Sequence, residues 1–344
     1  MEWIYRRTMQ KRRAANLARR EGEKSPCPIV SIGNLTSGGT GKTPAVQWLA
    51  RLLIAEDWKI GIAARGYGGK LSEAGALVSD GKTIFLSADE AGDEAIAHAR
   101  AMPSAIVSIG ADRHRAVEIA VENGAEIVLL DDGFQFWSLP RAFDLVLLDA
   151  QNPLGNGHLL PLGRLREEPA ALSRADAILL TRAQRATPEQ LENSRQELQK
   201  WTSAPIFVSH HAPREFVDQK NGETLPLDWI KGKKVKALAG LADNAQFYEM
   251  LTSLGASEIV RLKRERGDHH RWQQNDFAWF EVAAQLNAYQ SAQFDQLPVI
   301  TTEKDAVKLD PAWFGGPLLA LQIELEVENE TGLQLAISSK LWPS

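Results

Sequence analysis

Cysteine is nearly absent from this chain of 344 residues, in which Cys27 is the only one. A single cysteine excludes an internal disulfide framework, and it argues against a cysteine-rich zinc site. The scarcity is typical of proteins from a reducing compartment.

Long apolar runs and targeting signals are missing as well. The sequence has no uncharged apolar run of about 18 residues and no signal-peptide pattern. Hydrophobic residues make up 44% and charged residues 24%, as in ordinary globular proteins. These features argue against a disordered chain, a coiled coil or a polytopic membrane protein, and we expect a cytoplasmic protein.

The net charge of −5 conceals a basic N-terminal segment. Between Met1 and Lys24, eight basic residues accompany three acidic ones. Such a segment is compatible with an anionic membrane surface, with nucleic acid, or with a solvated helix. The residues alone leave these three interpretations open.

Short apolar runs alternate with helical periods over the first two hundred residues, which predicts an α/β fold with a buried parallel sheet. The chain length favours about two domains. The expected strands of the larger domain cover residues 29–32, 59–63, 105–109, 127–130, 145–148 and 177–180.

A smaller α/β unit is expected to contain strands at 235–239, 257–261 and 298–302, helices at 244–254 and 275–289, and a half-exposed strand at 318–327. The predicted organisation is a basic helix (1–27), a larger domain (28–208), a connector (209–234), a smaller domain (235–317) and a returning strand with a C-terminal helix (318–344).

A glycine-rich segment lies between the first strand and the helical pattern that follows it. Strand, glycine loop, Lys-Thr and helix form the context of a phosphate-binding loop, in which backbone N–H groups surround an anion. Lys42 would reach the β- and γ-phosphates and the Thr43 hydroxyl would hold Mg²⁺. The predicted nucleotide-binding residues are Thr36, Ser37, Gly38, Gly39, Thr40, Gly41, Lys42 and Thr43. Thr36 stands where the usual loop pattern has its first glycine. The fold class is therefore a P-loop NTPase-type sheet domain with a second, smaller α/β domain.

Charged side chains follow other predicted strands. Asp131 and Asp132 end the strand at 127–130 and are expected to order the metal, although the sequence does not say which of them leads. Arg166 lies in a long loop after another strand, where an Arg would stabilise charge on a transferring phosphoryl group. Asp93 belongs to an acidic run at residues 89–94, and from the residues alone such a run is usually a solvated helix face.

A polar loop of the smaller domain contains Asp268, His269 and His270. Adjacent histidines rarely ligate one metal, so we expect a single histidine, positioned by a carboxylate, to serve proton transfer. Near the end of the smaller domain Lys304 and Asp305 are contiguous, which breaks the [NT]-K-x-D signature of guanine-specific proteins and favours ATP.

Together these motifs closely resemble the tetraacyldisaccharide 4′-kinases of lipid A biosynthesis. The resemblance runs from about residue 28 to about residue 309 and keeps the order of the family's motifs. Thr36 also fits, because the family's loop reads Asn-Leu-Thr before its glycines. The motifs occupy residues 30–44, 64–68, 92–94, 131–135, 155–161, 165–167, 268–270 and 302–308.

The resemblance implies an ATP- and Mg²⁺-dependent transfer of the γ-phosphoryl group to the 4′-hydroxyl of a lipid A disaccharide 1-phosphate. It assigns Asp93 and His269 as the pair that deprotonates the acceptor hydroxyl. Arg164 departs from the family, which usually has Pro there. The family usually has a longer, apolar N-terminal helix, whereas here about 27 residues, rich in basic side chains, precede the first strand. Either the native chain starts further upstream, or the protein contacts the bilayer mainly through charge. In both cases we expect peripheral contact with the cytoplasmic face of the inner membrane. No nucleic-acid partner and no obligate protein partner are expected.

Two other functions remain to be weighed. A P-loop assembly ATPase usually has Lys before the glycines, where this chain has Ser37. A nucleic-acid-binding ATPase would use the basic N-terminus, and its affinity would fall steeply with salt.

Overall fold

The structure is a computed structural model, and it describes residues 2–20, 24–240, 244–262, 270, 272–274, 276 and 294–342. The chain forms two units, and two of its strands continue from one unit into the other. The larger unit comprises Met1–His211 and Leu325–Ser344, and the smaller comprises Ala212–Glu324. Element labels follow chain order through both units.

The larger unit alternates strands and helices. Its helices are α1 (Glu2–Arg20), α2 (Lys42–Ala55), α3 (Ala88–Ala91), α4 (Asp93–Ala101), α5 (Arg113–Glu122), α6 (Pro188–Gln199) and α9 (Glu330–Leu341). Its strands are β1 (Ile29–Asn34), β2 (Ile60–Ala64), β3 (Ala76–Asp80), β4 (Ile106–Ile109), β5 (Ile127–Asp131), β6 (Phe143–Asp149), β7 (Ala177–Thr181) and the start of β8 (Ile206–Asp218). Short 3-10 helices cover Pro169–Arg174 and Ala183–Arg185.

The strands of this unit lie in the order β8-β7-β6-β1-β5-β2-β4-β3. All neighbouring pairs are parallel except β3 with β4. Every residue of β1, β2, β5 and β7 is buried, as the unbroken apolar runs predict. The predicted α/β fold with a parallel sheet is confirmed. Strand β3 was not predicted, because it is a short, partly exposed, irregular strand at the edge of the sheet.

Strand β1 lies at the point where the sheet reverses its direction of growth. Its neighbours are β5 on one side and β6 on the other, although β2 follows it in the chain. In open parallel sheets, ligands bind outside the carboxyl ends of the strands at such a point. The residues after β1 and β5 are therefore the first place to look for a site.

The two ends of the described chain pack against the larger unit. The Tyr5 side chain of α1 packs against the core cluster that contains Phe134. In α9, Glu330 accepts a hydrogen bond from Trp48 Nε1 at 2.9 Å, and Trp342 after the helix stacks on Trp58 with ring centroids 4.8 Å apart. Among the described helices, none has both the length and the apolar character needed to cross a bilayer.

The smaller unit has its own sheet. Its elements are the end of β8, β9 (Thr224–Leu225), β10 (Lys234–Leu238), α7 (Ala245–Ser253), β11 (Glu258–Val260), β12 (Val299–Thr302), α8 (Glu303–Ala306) and most of β13 (Leu318–Val327). Strands β11, β10, β12 and β13 pair in that order and all in parallel. The first four residues of β13 are all buried, so the strand is less exposed than its alternating sequence predicts. Of the helix predicted over 275–289, all but residue 276 lies outside the described residues. Strand β8 continues to Asp218, within the segment that the sequence analysis assigned to a connector (209–234).

Asp305 of α8 organises the end of β12. It is fully buried and accepts hydrogen bonds from Gly240 N, Trp272 Nε1 and Thr302 Oγ1 at 2.8, 3.0 and 2.9 Å. Lys308 Nζ lies 3.1 Å from it. A buried carboxylate with this many donors is stable without contact to a ligand, so Asp305 of this motif has a structural role within the smaller unit.

Candidate active site

The predicted phosphate loop joins β1 to α2 at the carboxyl edge of the larger sheet. Gly41 precedes α2 with a φ of 79°, and Gly38 has a φ of 108°. Both values lie in the left-handed region that glycine adopts without strain. Between them, Thr40 is fixed from two strands, because its hydroxyl accepts from Asn34 Nδ2 at 2.9 Å and its carbonyl accepts from Thr181 Oγ1 at 2.9 Å. The loop is therefore held in shape by β1 and β7.

The loop at 155–167 lies along the first half of the phosphate loop. Ser37 N donates to the carbonyl of Arg164 at 2.6 Å, and Arg164 Nε donates to the carbonyl of Ser37 at 3.1 Å. Two residues later in the same loop, Arg166 N donates to the carbonyl of Leu35 at 2.8 Å. The departure from the family pattern at Arg164 thus adds a side-chain bond to the phosphate loop.

Asp132 brings two cations together beside this loop. Its carboxylate accepts from Arg166 Nη1 at 2.8 and 2.9 Å and lies 3.6 Å from Lys42 Nζ. Burial raises the pKa of Asp132, but Lys42 and Arg166 outweigh it and hold that pKa below its usual value. Asp132 is therefore ionised at neutral pH, and it orders the two cations that the sequence assigns to phosphoryl transfer.

Asp131 points to different partners. It ends β5, is 4% exposed, and its Oδ2 lies 3.2 Å from Nε2 of the fully buried His98 in α4. Its Oδ1 is buried and has no hydrogen-bond partner among the described residues. A buried carboxylate oxygen without a donor is costly unless a cation or water satisfies it. Asp131 and Asp132 are thus adjacent in sequence but distinct in surroundings.

Gln135 connects these parts of the site. Its Nε2 donates to the carbonyl of Asn34 at 3.0 Å and to Glu167 at 3.2 Å, and its Oε1 accepts from Arg166 at 3.3 Å. Glu167 in turn accepts from Arg174 Nη2 at 2.9 and 3.0 Å. The phosphate loop, the residues after β5 and the arginine loop therefore form one hydrogen-bonded network.

Asp93 begins α4 in the same unit. Gly92 before it has a φ of 85°, and a Cβ on Gly92 would lie 2.6 Å from the carbonyl oxygen of Tyr67. On the other side of this contact, a Cβ on Gly69 would lie 2.6 Å from the carbonyl oxygen of Glu90. The glycine loop after β2 therefore packs its backbone directly on the start of α4. His269, the proposed partner of Asp93, lies outside the described residues, and so does Asp268.

The sequence analysis missed two side chains beside the phosphate loop, Arg182 and His211, and a third, Arg113, that interacts with Asp131 and Asp132. Arg182 follows β7 and lies 3.4 Å from where a Gly39 Cβ would stand, and its guanidinium is 3.6 Å from Asp149. His211 Nε2 lies 2.5 Å from where a Gly41 Cβ would stand, and burial together with Arg182 lowers the pKa of His211 to about 4. Burial lowers the pKa of Arg113 to about 10, against the attraction of Asp131 and Asp132.

The rule that ligands meet strand ends would have found Arg182, which directly follows Thr181 at the end of β7. Nothing in the local sequence marks His211 or Arg113, because their neighbours come from distant parts of the chain.

The fold and these groups define a nucleotide-binding protein of the P-loop class, with the phosphate loop and its cations at the switch point of a parallel sheet. Within that class the chain belongs to the tetraacyldisaccharide-1-P 4′-kinase family, whose model matches residues 1–341.

Relatives of known name agree with this assignment. The chain is 39% identical over 331 residues to the tetraacyldisaccharide 4′-kinase of Desulfatibacillum aliphaticivorans, covering 92% of this chain and 84% of the relative. It is 44% identical over 292 residues to the enzyme of the same name from Anaeromyxobacter dehalogenans, covering 84% and 74%. It also resembles a crystal structure of the "apo" form of LpxK from Aquifex aeolicus in complex with ATP, with a TM-score of 0.76, 29% identity and coverage of 99% and 97%.

We predict that the Gly92→Ala variant loses both stability and kinase activity. Alanine at this position must adopt a positive φ, and its Cβ would also meet the Tyr67 carbonyl. The start of α4 and Asp93 therefore have to shift. Gly124→Ala is the matched control, because Gly124 has a φ of 98° and nothing lies within 4 Å of its Cβ position. It should lose about 1–2 kcal/mol to backbone strain and keep its activity.

Thermal melts and a steady-state kinase assay on both variants measure this difference. Equal losses in the two variants would show that backbone strain alone, and not the contact with Tyr67, governs this position.

Proposed function

We propose that this chain transfers the γ-phosphoryl group of ATP to the 4′-hydroxyl of a tetraacyldisaccharide 1-phosphate, a step in lipid A biosynthesis. The observation that carries the proposal is the cluster formed by Lys42, Arg166 and Asp132 beside a complete phosphate loop in a chain of this kinase family. No observation favours an assembly ATPase or a nucleic-acid-binding ATPase.

ATP is the proposed donor, and its phosphates would lie in the loop from Thr36 to Thr43. Backbone N–H groups at the start of α2 and the positive end of that helix favour an anion there. Lys42 and Arg166 would neutralise charge on the transferring group, which is most of what phosphoryl transfer requires. A solved relative described in complex with ATP supports this choice of nucleotide.

Mg²⁺ is the proposed metal, and the residues present fit it. This ion needs only one or two protein oxygens besides phosphate and water. Asp131 offers a buried oxygen with no partner among the described residues, Asp132 is held ionised, and Thr43 lies in the first turn of α2. When bound, the ion would neutralise charge that develops between the β- and γ-phosphates. Of the two carboxylates, we favour Asp131 as the metal ligand, since Asp132 is already paired with two cations.

Asp93 is the proposed general base, acting with His269. It would take the proton from the acceptor 4′-hydroxyl as the new O–P bond forms and the bond to the β-phosphate oxygen breaks, so that ADP leaves. The close packing of Gly92 and Gly69 keeps Asp93 at a defined place, which matters because small misplacements of a catalytic group are costly.

The first test is a kinase assay with ATP, Mg²⁺ and tetraacyldisaccharide 1-phosphate in detergent micelles. The protein should form a bis-phosphorylated lipid, and Lys42→Ala should reduce the rate by at least about 100-fold, because it removes a donor to the developing charge. Lys82→Ala, at an exposed lysine, is the control and should retain full activity. ATP loss that does not depend on the lipid would contradict the proposal.

The second test separates the base from the metal site. Asp93→Asn should lower kcat by about 10²–10⁴-fold, as expected for loss of a general base. Its affinity for ATP should stay within about twofold of the affinity of the parent protein. Asp89→Asn, at an exposed carboxylate of the same acidic run, should change neither quantity. A large loss of ATP binding in Asp93→Asn would instead place Asp93 with the metal.

Helix α1 is the proposed contact with the cytoplasmic face of the inner membrane. Trp3 and Ile4 are 60% and 62% exposed, and basic side chains surround them, with the Arg7 guanidinium 3.9 Å from the centre of the Trp3 ring. Aromatic and apolar side chains on a basic helix favour an anionic lipid surface. The face of α1 that includes Tyr5 packs on the larger unit, so it is not available to lipid.

Vesicle co-sedimentation tests this contact. The protein should bind vesicles that contain phosphatidylglycerol more than vesicles of phosphatidylcholine alone, and binding should weaken as salt screens the charges. The double variant Trp3→Ala/Ile4→Ala should bind less, whereas Leu335→Ala, which removes a 66% exposed apolar side chain from α9, should bind as the parent does. Equal binding of the parent to both kinds of vesicle would refute a charge-based contact.

A further inference from the structure

His98 is a fully buried histidine that has no role in the reaction described above. It lies in α4, where its neighbours Ala95, Ile96, Ala97 and Ala99 are also buried. Its Nε2 is 3.2 Å from Asp131 Oδ2. In the tautomer that carries its proton on Nε2, His98 donates this hydrogen bond to the carboxylate.

The contact joins two parts of the site that are far apart in sequence. Residue 93 begins α4, and residue 98 follows five positions later, which corresponds to about 7.5 Å along a helix axis. Asp131 pairs in register with Ile32 on β1, just before the strand leads into the phosphate loop. The hydrogen bond therefore connects the helix that carries Asp93 to the strand end beside the phosphate loop.

The contact also fixes how the Asp131 carboxylate is used. With Oδ2 bonded to His98, Oδ1 is the oxygen left buried and without a partner among the described residues. In metal sites, a carboxylate that binds the metal is usually oriented by a hydrogen bond from a neighbouring side chain. Loss of that side chain typically reduces metal affinity or activity. His98 itself is too deeply buried to touch the acceptor or the nucleotide.

We propose that His98 is a positioning residue of the kinase, which holds α4 with Asp93 at a fixed place relative to Asp131 and presents Oδ1 of that carboxylate to the metal. The proposal rests on the proposed function. The simpler interpretation is that His98 only fills space in the core. The two differ in what happens when the hydrogen bond is removed but the volume is kept.

Three substitutions make the comparison. His98→Leu keeps an apolar side chain of similar size and removes the donor. His98→Gln keeps a donor at about the position of Nε2. Ser194→Ala is the matched control, because it removes another buried hydrogen bond, 2.8 Å long, between α6 and the carbonyl of Ala150 after β6.

The measurements are kcat and the KM for ATP in the lipid kinase assay, Mn²⁺ affinity in the presence of ATP by electron paramagnetic resonance, and the melting temperature. We expect His98→Leu to lose roughly 10–100-fold in kcat and in Mn²⁺ affinity, with a smaller change in the KM for ATP. His98→Gln should restore most of both losses. Ser194→Ala should lower the melting temperature alone.

The proposal is overturned if His98→Leu behaves as Ser194→Ala does, with lower stability but parental kcat and Mn²⁺ affinity. Should His98→Leu fail to fold, His98→Asn replaces it, because its shorter amide does not reach Asp131; activity equal to that of His98→Gln would then overturn the proposal. A parent protein without lipid-dependent activity would contradict the proposed function instead, while the Mn²⁺ titrations would still test the link between His98 and Asp131.

Discussion

Two adjacent carboxylates at the end of β5 contact different partners, and the arrangement of the site depends on this difference. Asp132 has a φ of 56°, a left-handed conformation that interrupts the strand directly after Asp131. Asp132 consequently binds Lys42 and Arg166, whereas Asp131 bonds to His98 inside the protein. One carboxylate organises the cations around the phosphate loop, and the other reaches the helix that begins with Asp93.

Close backbone approach keeps these carboxylates in place. A Cβ on Gly33 would lie 2.6 Å from Phe134 Cβ, so the end of β1 and the turn after β5 meet with no side chain between them. The glycine loop after β2 contacts the start of α4 in the same manner, through Gly69 and Gly92. Such contacts leave little room for adjustment, which suits a site whose reaction depends on placing groups rather than on covalent chemistry.

The sequence predicts the fold well because local patterns encode it. Buried parallel strands read as unbroken apolar runs, and the phosphate loop lies within one contiguous segment. The pair Asp131 and Asp132 could be found in the same way, but their separate roles could not, since these depend on one backbone angle and on partners such as His98, 33 positions away. His211 was missed for a related reason: its proximity to the loop arises from strand order, which no single segment contains. Arg182 could have been found, because it lies just after the strand predicted at 177–180.

Tyr5 links α1 to the loop that carries Arg166. Burial raises the pKa of its hydroxyl, which donates to the carbonyl of Arg166 at 3.1 Å, and Arg6 lies 3.2 Å from Glu168 in the same loop. A chain shortened to start after α1 would lose this support for Arg166 along with the surface that we propose contacts lipid. Truncation therefore cannot separate the proposed membrane contact from phosphoryl transfer, and a fall in activity after removal of α1 would report on both at once.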